Sequence, residues 1–346
     1  MMVRNKNEYY QIIRKGTKMK AIVCTKYGPP EVLQLKEVEK PRPKNNEVLI
    51  KIFAVVVGIE DPIQRKGKPY FGRIFVGFTK PRKPILGTEF AGEIEAVGKN
   101  VKLFKKGDEV FGSTGAGFGC NAEYMCIPEE GFLSLKLPKI SYKEAAPVCG
   151  ALAAWNLLKA KANIMRGQKV LINDAAGSIG SAAVQIAKAL GAEATGVCST
   201  DNLEFVKSLG ADRVIDYTTE DFTKNGQTYD VILDVTGKPS FSHCKNSLKK
   251  RGFYLTTYPT LSVLFQMFWT GIFNGKKVIF SATGLLPVSK RLSFLKDLLL
   301  LFEDGKLKTI IDRTYRLDQI AEAHQFVEQG HIKGNVVITI SNNNND

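Results

Sequence analysis

The chain has 346 residues, 44% hydrophobic and 24% charged, which excludes a disordered or fibrous protein and leaves room for two domains with separate cores. Lys and Arg outnumber Asp and Glu by 49 − 34, a formal charge of +15 that suits nucleic acid, an anionic membrane surface or an anionic small ligand. The basic residues are spread along the chain rather than clustered with aromatics, which argues against nucleic acid and for a polyanionic cofactor.

The first 18 residues carry Arg4, Lys6, Arg14, Lys15 and Lys18 against one acid, Glu8, and read as a flexible extension ahead of Met19. Lys20 to Cys24 and Val48 to Phe53 are strand-like, separated by the turn-rich Tyr27-Gly-Pro-Pro30 and Lys40-Pro-Arg-Pro-Lys44. Short strands continue at Gly92 to Val97, Glu109 to Phe111 and Ala122 to Ile127, with Gly and Pro between them. Residues 19–141 thus form a β-rich unit of barrel character. Ser141-Tyr-Lys-Glu144 has capping-box spacing and marks where helices begin, the first being Ala151 to Ala162.

From Val170 the pattern changes. Val170 to Asn173 reads as a buried strand, Ala175 to Gly180 as a turn of small residues, and Ser181 to Leu190 as a helix. Such a junction leaves unpaired N–H groups at the helix start, where they and the helix dipole favour a pyrophosphate. Ala176, Gly177, Ser178, Ile179 and Gly180 are the expected cradle, although Asp174 sets a carboxylate beside it. A strand at Ala194 to Cys198, a helix from Asn202 to Leu209, and strands at Arg213 to Ile215 and Val231 to Asp234 extend a βαβ series over residues 142–284.

A helix around Phe241 to Leu248 and strands at Gly252 to Thr257 and Lys277 to Phe280 follow. The apolar run between them, Leu261 to Phe273, is broken by Gln266 and Gly271 and is too short to span a bilayer; it reads as a substrate mouth or a subunit contact. Residues 285–346 return to the first domain through helices at Lys290 to Glu303 and Leu317 to Glu328 and a strand at Asn335 to Ile340, before a polar tail. The six cysteines include no C-x-x-C pair, and no secretory signal precedes them, so reduced thiols and a cytoplasmic location are expected.

The stretches Leu86-Gly-Thr-Glu-Phe-Ala-Gly-Glu-Ile-Glu-Ala-Val-Gly98, Lys106-Gly-Asp-Glu-Val-Phe111, Ala175-Ala-Gly-Ser-Ile-Gly180, Leu209-Gly-Ala-Asp-Arg-Val-Ile-Asp-Tyr217 and Gly330-His-Ile-Lys-Gly-Asn-Val-Val337 together resemble the medium-chain dehydrogenase/reductase superfamily, in its zinc-free quinone-reductase-like branch. The resemblance implies a doubly wound parallel Rossmann sheet inserted in a GroES-like β-barrel catalytic domain, and a homodimer paired along the sheet edge near Lys277 to Ala282. Zinc-bearing members place ligands at positions matching Gly58, Thr88 and Cys149; glycine has no ligand atom and threonine is a poor one, so no metal is expected.

Without a Lewis acid, hydride is best delivered to an acceptor that is already electrophilic, a quinone or an α,β-unsaturated carbonyl. An NAD site wants an acid at the end of the second Rossmann strand, where this chain has Cys198. Ser199, Thr200 and Asn202 follow, and the resemblance adds Tyr217, Lys333 and Asn335, so NADPH is the expected cofactor. Asp201 opposes a 2′-phosphate, but with Glu204 it has the spacing to cap its own helix. Thr236, Gly237, Thr257 and Pro259 are placed at strand ends facing the cofactor.

Asp61 and Tyr70 are the candidate catalytic groups, and Glu89 is either an orienting carboxylate or a salt-bridge partner. The family's Asn-Pro before Asp61 is replaced by Gly58-Ile59, and Ala153 stands where relatives carry threonine. Those losses keep two alternatives open: a non-catalytic NADPH-binding sensor, and an alcohol or aldehyde dehydrogenase.

Overall fold

The computed structural model describes residues 17–68, 70, 73–272 and 275–340. Residues 1–16 of the expected extension and the polar tail Asn342 to Asp346 lie outside the described residues. The N-terminal part supplies β1 (Lys18–Cys24), β2 (Leu33–Glu39), β3 (Glu47–Val57), β4 (Glu89–Val97), β5 (Glu109–Ser113), β6 (Tyr124–Pro128) and β7 (Phe132–Leu135). The middle supplies β8 (Lys169–Asn173), β9 (Glu193–Cys198), β10 (Arg213–Asp216), β11 (Tyr229–Asp234), β12 (Leu248–Thr256) and β13 (Lys277–Phe280); β14 (Ile311–Arg316) and β15 (Asn335–Thr339) end the chain. The principal helices are α1 (Glu60–Arg65), α2 (Val148–Trp155), α3 (Ser178–Ala189), α4 (Leu203–Ser208), α5 (Leu261–Ile272), α6 (Val288–Glu303) and α7 (Ile320–Gln329).

The middle strands form one sheet in the order β10-β9-β8-β11-β12-β13, every ladder parallel. That is the doubly wound Rossmann arrangement, whose strand order reverses between β8 and β11. The other domain is a largely antiparallel sheet in the order β14-β15-β3-β4-β5-β7, with β6 also on β3. It is built from both chain ends, because β15 returns to pair Val336 with Val57. One apolar cluster joins Ala54, Phe111 and Phe132 of this domain to Leu152, Trp155, Val170 and Leu233 of the other. The walls of the cleft between the two sheets are therefore fixed on a shared core.

Local chemistry explains most element boundaries. Ser141 Oγ accepts from the Glu144 N–H at 3.3 Å and Glu144 Oε2 accepts from the Ser141 N–H at 2.8 Å, the reciprocal cap that the spacing suggests. Three segments differ from the sequence reading. The helix expected from Asn202 to Leu209 is present as α4, entered through a tight turn, Thr200–Asn202, but its expected cap is not: neither Ser199 nor Asn202 makes a side-chain cap bond. Asp201 therefore lies inside that turn and caps nothing. The helix expected over Phe241 to Leu248 is α-helical only to Cys244 and tightens to a 3-10 turn over Lys245–Ser247, because Leu248 already opens β12. Finally, α2 begins at Val148 and passes into a π-helical stretch, Asn156–Lys161, whose Asn156 Nδ2 donates to Ser281 Oγ at 2.7 Å and Thr283 Oγ1 at 2.9 Å. Among the described residues no helix is long and apolar enough to cross a membrane.

Candidate active site

The site is built outward from the end of β8. Asp174 takes the left-handed conformation, φ 67°, which Asp tolerates better than most residues, and so turns the chain sharply off the strand. Gly177 then stands at the N-cap of α3 with no side-chain capping bond. The N–H groups of Ser178, Ile179 and Gly180 therefore open the helix without intrahelical acceptors. A Cβ on Gly180 would lie 1.9 Å from the Asp174 carbonyl oxygen, so only glycine fits there. The cradle accommodates a pyrophosphate close to bare backbone, the contact that a dinucleotide needs.

The chain's C-terminal return clamps this turn. Gly177 and Gly334 form a parallel bridge in which the Gly334 N–H donates to the Ala176 carbonyl at 2.8 Å. Ser178 Oγ donates to Asn335 Oδ1 at 2.6 Å, and Asn335 Nδ2 donates to the Ile310 carbonyl at 2.9 Å. Asn335 is thus spent on holding the cradle to the barrel domain. Beside it, Lys333 Nζ donates to the Asp201 carbonyl at 3.3 Å, which carries its ammonium to the turn after β9.

That turn is where a second nucleotide contact belongs. Cys198 ends β9 buried, with no carboxylate at the strand terminus. Asn202 Nδ2 donates to Ser199 Oγ at 3.1 Å, and its buried Oδ1 has no hydrogen-bond partner among the described residues. A buried acceptor left open beside an ammonium and a hydroxyl is what a hydroxyl-bearing ligand would satisfy. Thr200 is less available than its type suggests, because its hydroxyl donates to Asp216 Oδ2 at 2.6 Å. Hydrogen bonds from Thr200 and Thr218 hold Asp216 below the usual carboxylate range, so an ionised acid sits here that the sequence reading did not single out. Tyr217, beside it, is 53% exposed.

At the strand reversal, Asn173 of β8 lies level with Asp234 of β11. The fully buried Asp234 accepts from Asn173 Nδ2 at 2.9 Å, Thr236 Oγ1 at 2.8 Å, the Gly237 N–H at 3.1 Å and the Tyr254 hydroxyl at 2.9 Å. Thr236 and Gly237 are held by this carboxylate, which fixes the floor of the crevice. Thr257 and Pro259 continue from the end of β12, and between them stands Tyr258, packed over Gly237. Burial raises the Tyr258 phenol, and Glu60, Asp174 and Asp234 raise it further, so it is walled by acids of both domains. Nothing in the local pattern Thr-Thr-Tyr-Pro distinguished Tyr258 from its neighbours.

The barrel side of the crevice is acidic. Asp61, 5% exposed, accepts from the Gly58 N–H through Oδ2 at 2.8 Å, while its Oδ1 has no partner among the described residues. Burial, with the Glu60 charge adding, pushes its carboxyl up to about 7. Glu89, the first residue of β4, is pushed up to about 8 by burial and then by Glu60 and Asp61. Among the described residues it therefore faces acids and has no salt-bridge partner. Tyr70 is 66% exposed and is brought to the Arg73 guanidinium, 4.9 Å from its ring, which in turn stacks on Tyr27. Among the described residues no three His, Cys, Asp or Glu side chains converge to hold a metal; the Cys149 side chain is outside that set.

Asp174 carries a second consequence. It keeps solvent access at the edge of the cleft, yet the protein around its carboxyl pushes it up to about 6 by partial desolvation, with the Gly177 N–H opposing and Asp234 adding to the shift. Below that pH it is neutral; above it, a negative charge stands beside the cradle. Dinucleotide affinity is expected to weaken as pH rises through about 6. Asp174→Asn is expected to bind NADPH roughly three- to tenfold more tightly than the parent at pH 7.5, on the order of 1 kcal/mol, and equally at pH 5. Fluorescence titration of both proteins at each pH makes the comparison, and the 2′-phosphate's own titration cancels between them.

The comparisons with known proteins agree with this geometry. Residues 44–139 match the family described as alcohol dehydrogenase GroES-like domain, and residues 209–338 match the one described as zinc-binding dehydrogenase. The chain is 32% identical over 344 residues to the chloroplast envelope quinone oxidoreductase homolog of Arabidopsis thaliana, covering 93% of this chain and 99% of that one. It is 30% identical to the Arabidopsis thaliana chloroplastic NADPH-dependent alkenal/one oxidoreductase, over 92% of this chain and 79% of that one. Among solved structures, the quinone oxidoreductase from Coxiella burnetii superposes with a TM-score of 0.82 at 28% identity, over 94% of this chain and 100% of the other. On sequence, fold and the clamped phosphate turn alike, the chain belongs to the medium-chain dehydrogenase/reductase superfamily, in its quinone oxidoreductase-like branch.

Proposed function

We propose that the protein is an NADPH-dependent, zinc-independent reductase that passes hydride to a quinone or to the β-carbon of an α,β-unsaturated carbonyl. The observation that carries this reading is the glycine cradle at 177–180, clamped by Asn335, with Lys333 reaching the turn after β9 where no acid ends the strand. The relatives named as quinone and alkenal/one oxidoreductases support the acceptor class. Bound NADPH would supply the hydride at its nicotinamide C4. The chain's own work is to hold the phosphates on backbone N–H groups, receive the 2′-phosphate near Lys333 and Ser199, and exclude water from the crevice between Tyr258 and the acids of the barrel wall. Asp61 is proposed as a positioning residue that fixes the Gly58 turn, and Tyr70 as a surface residue at the loop after Gly67. In this reading the protein works in the cytoplasm as a homodimer paired along the free edge of β13, which sedimentation velocity would test.

Steady-state kinetics test the reading directly. NADPH oxidation is expected with 1,4-naphthoquinone and with an enal, and none with simple aldehydes. KM for NADPH should be at least about tenfold below that for NADH, a difference of about 1.4 kcal/mol. Lys333→Ala should erase most of that ratio by raising the NADPH value alone. A preference for NADH in the parent protein would refute the cofactor assignment. Tight binding of NADPH with no turnover of any acceptor would instead favour a sensing role.

A further inference from the structure

Helix α5 is apolar on two faces. Val263, 7% exposed, and Met267 pack with Tyr254, Val278 and Phe280 on the sheet, and Thr270 Oγ1 accepts from the Val278 N–H at 3.1 Å. The opposite face presents Leu261, Leu264, Phe265, Phe268 and Ile272, with Trp269 on its shoulder; their exposures run from 47% for Trp269 to 87% for Leu261. The spacing of the first five, at i, i+3, i+4, i+7 and i+11, is one continuous stripe. Core packing of the sheet face explains Val263 and Met267 and leaves that stripe unexplained. A stripe of this size on a chain's surface marks a contact site.

Charge decides what kind. From Val235 to Lys296 the chain carries ten Lys or Arg and no Asp or Glu. Basic residues are about as dense here as in the rest of the chain, but the absence of acids gives the segment around this helix a formal charge of +10. The helix runs from the crevice, where Thr257 and Pro259 lie just ahead of Leu261, down to the opposite end of the strands. At that end stand Lys276 and Lys277, with Lys249, Lys250 and Arg251 on the neighbouring strand β12, where Phe253 lies level with Lys277. Lys276 Nζ donates to the Lys245 carbonyl, which draws that residue into the same group. Asp230 is the acid that meets them, through Lys249 at 2.7 Å.

We propose that α5 and the basic residues around its C-terminal end form a docking surface for an anionic lipid bilayer. Leucine, phenylalanine and tryptophan side chains on a helix lying parallel to a membrane enter the headgroup and acyl boundary, while Lys and Arg beside them meet anionic headgroups. An acidic protein partner or RNA would meet the positive charge, but neither accounts for a stripe of long aliphatic and aromatic side chains with no polar residue in it. The surface places the crevice mouth at the membrane, where a lipophilic acceptor would enter.

The test uses the full chain with vesicles of phosphatidylcholine alone and of phosphatidylcholine with phosphatidylserine at about 7:3. Co-sedimentation is expected with the anionic vesicles, at least tenfold weaker with neutral ones, and lost at high salt. Of the two tryptophans Trp155 is buried, so a blue shift of emission on adding vesicles reports Trp269. Phe265→Ser with Phe268→Ser is expected to cut vesicle binding at least tenfold while NADPH turnover with a water-soluble quinone is unchanged. Lys250→Glu with Arg251→Glu, both exposed on β12 and away from the β13 edge, is expected to do the same. No binding to anionic vesicles, or binding that survives both double substitutions, overturns the proposal. So does a Phe265→Ser/Phe268→Ser protein that turns from dimer to monomer in sedimentation velocity with vesicle binding intact, or a surface that binds RNA and ignores vesicles. Co-sedimentation, Trp269 emission and sedimentation velocity do not depend on turnover, so the failure of this surface and the failure of the proposed chemistry are distinguishable.

Discussion

Gly180→Ala is expected to abolish cofactor binding, where Gly177→Ala is expected to weaken it only slightly. A Cβ on Gly180 would meet the Asp174 carbonyl oxygen at 1.9 Å and the Ala175 Cα at 2.9 Å. Both are backbone atoms of the turn itself, so relief requires the turn and the first turn of α3 to separate. The N–H groups that face the pyrophosphate would move with them, and a displacement near 1 Å costs about a hundredfold in a site that depends on fixed donors. At Gly177 the obstacle is the Asp174 carboxylate, 2.6 Å from the added Cβ, which a side-chain rotation relieves. Gly177 also has φ −70° and ψ 179°, which alanine adopts without strain. Isothermal titration with NADPH should give at least a roughly hundredfold weaker Kd for Gly180→Ala and less than tenfold for Gly177→Ala, with circular dichroism showing both folded. Equal effects at the two positions would mean that the turn is not gripped by its own backbone.

That contrast separates what the sequence could disclose from what it could not. The βαβ series was legible because a buried parallel strand must be apolar along its length and its helix must begin where small residues end it. The phosphate turn followed from the same rule. The polar strands β2 (Leu33–Glu39) and β14 (Ile311–Arg316) were not legible, because each pairs on a single side and shows little or no buried face. Asp201 failed as a cap because Thr200, two residues after the strand, is drawn to Asp216 on β10, a contact across 16 residues that no local spacing encodes. Tyr258 and Asp234 were missed for a related reason: a residue at a strand end acquires its role from the strand beside it. Asp174 was noticed but not explained, and the explanation is conformational, a left-handed residue whose side chain folds back on the Gly177 N–H.

Glu328→Ala is expected to destabilise the fold by about 3–5 kcal/mol, the cost of leaving a buried charge without its partner. Arg65, at the end of α1, is fully buried. Its Nη2 donates to Glu328 Oε1 of α7 at 2.7 Å and its Nε donates to the Gly28 carbonyl at 3.1 Å, while Nη1 has no partner among the described residues. Lys66 Nζ meets the same Glu328 oxygen at 2.5 Å but is 42% exposed, so it adds little on its own. His324 lies one helical turn before Glu328, fully buried, with neither ring nitrogen hydrogen-bonded among the described residues. Burial, and then the Arg65 charge, pushes its imidazole down to about 3. For Glu328, burial opposes ionisation and the Lys66 hydrogen bond with the two cationic charges outweighs it, leaving the carboxyl below its usual range. Both shifts act in the same direction with pH. A base with a lowered folded pKa loses stability as pH falls from about 6.5 toward 3, and an acid with a lowered one loses it below the ordinary carboxylate range. The joint between α1 and α7, which ties the chain's two ends together, is therefore expected to open first in acid. Urea unfolding at pH 7 should place Glu328→Gln, which keeps a hydrogen-bond acceptor, between the parent and Glu328→Ala. Arg65→Met combined with Glu328→Ala should recover much of the loss, since no charge is then stranded. A double variant no more stable than Glu328→Ala alone would show that packing, rather than the unpaired guanidinium, governs this joint.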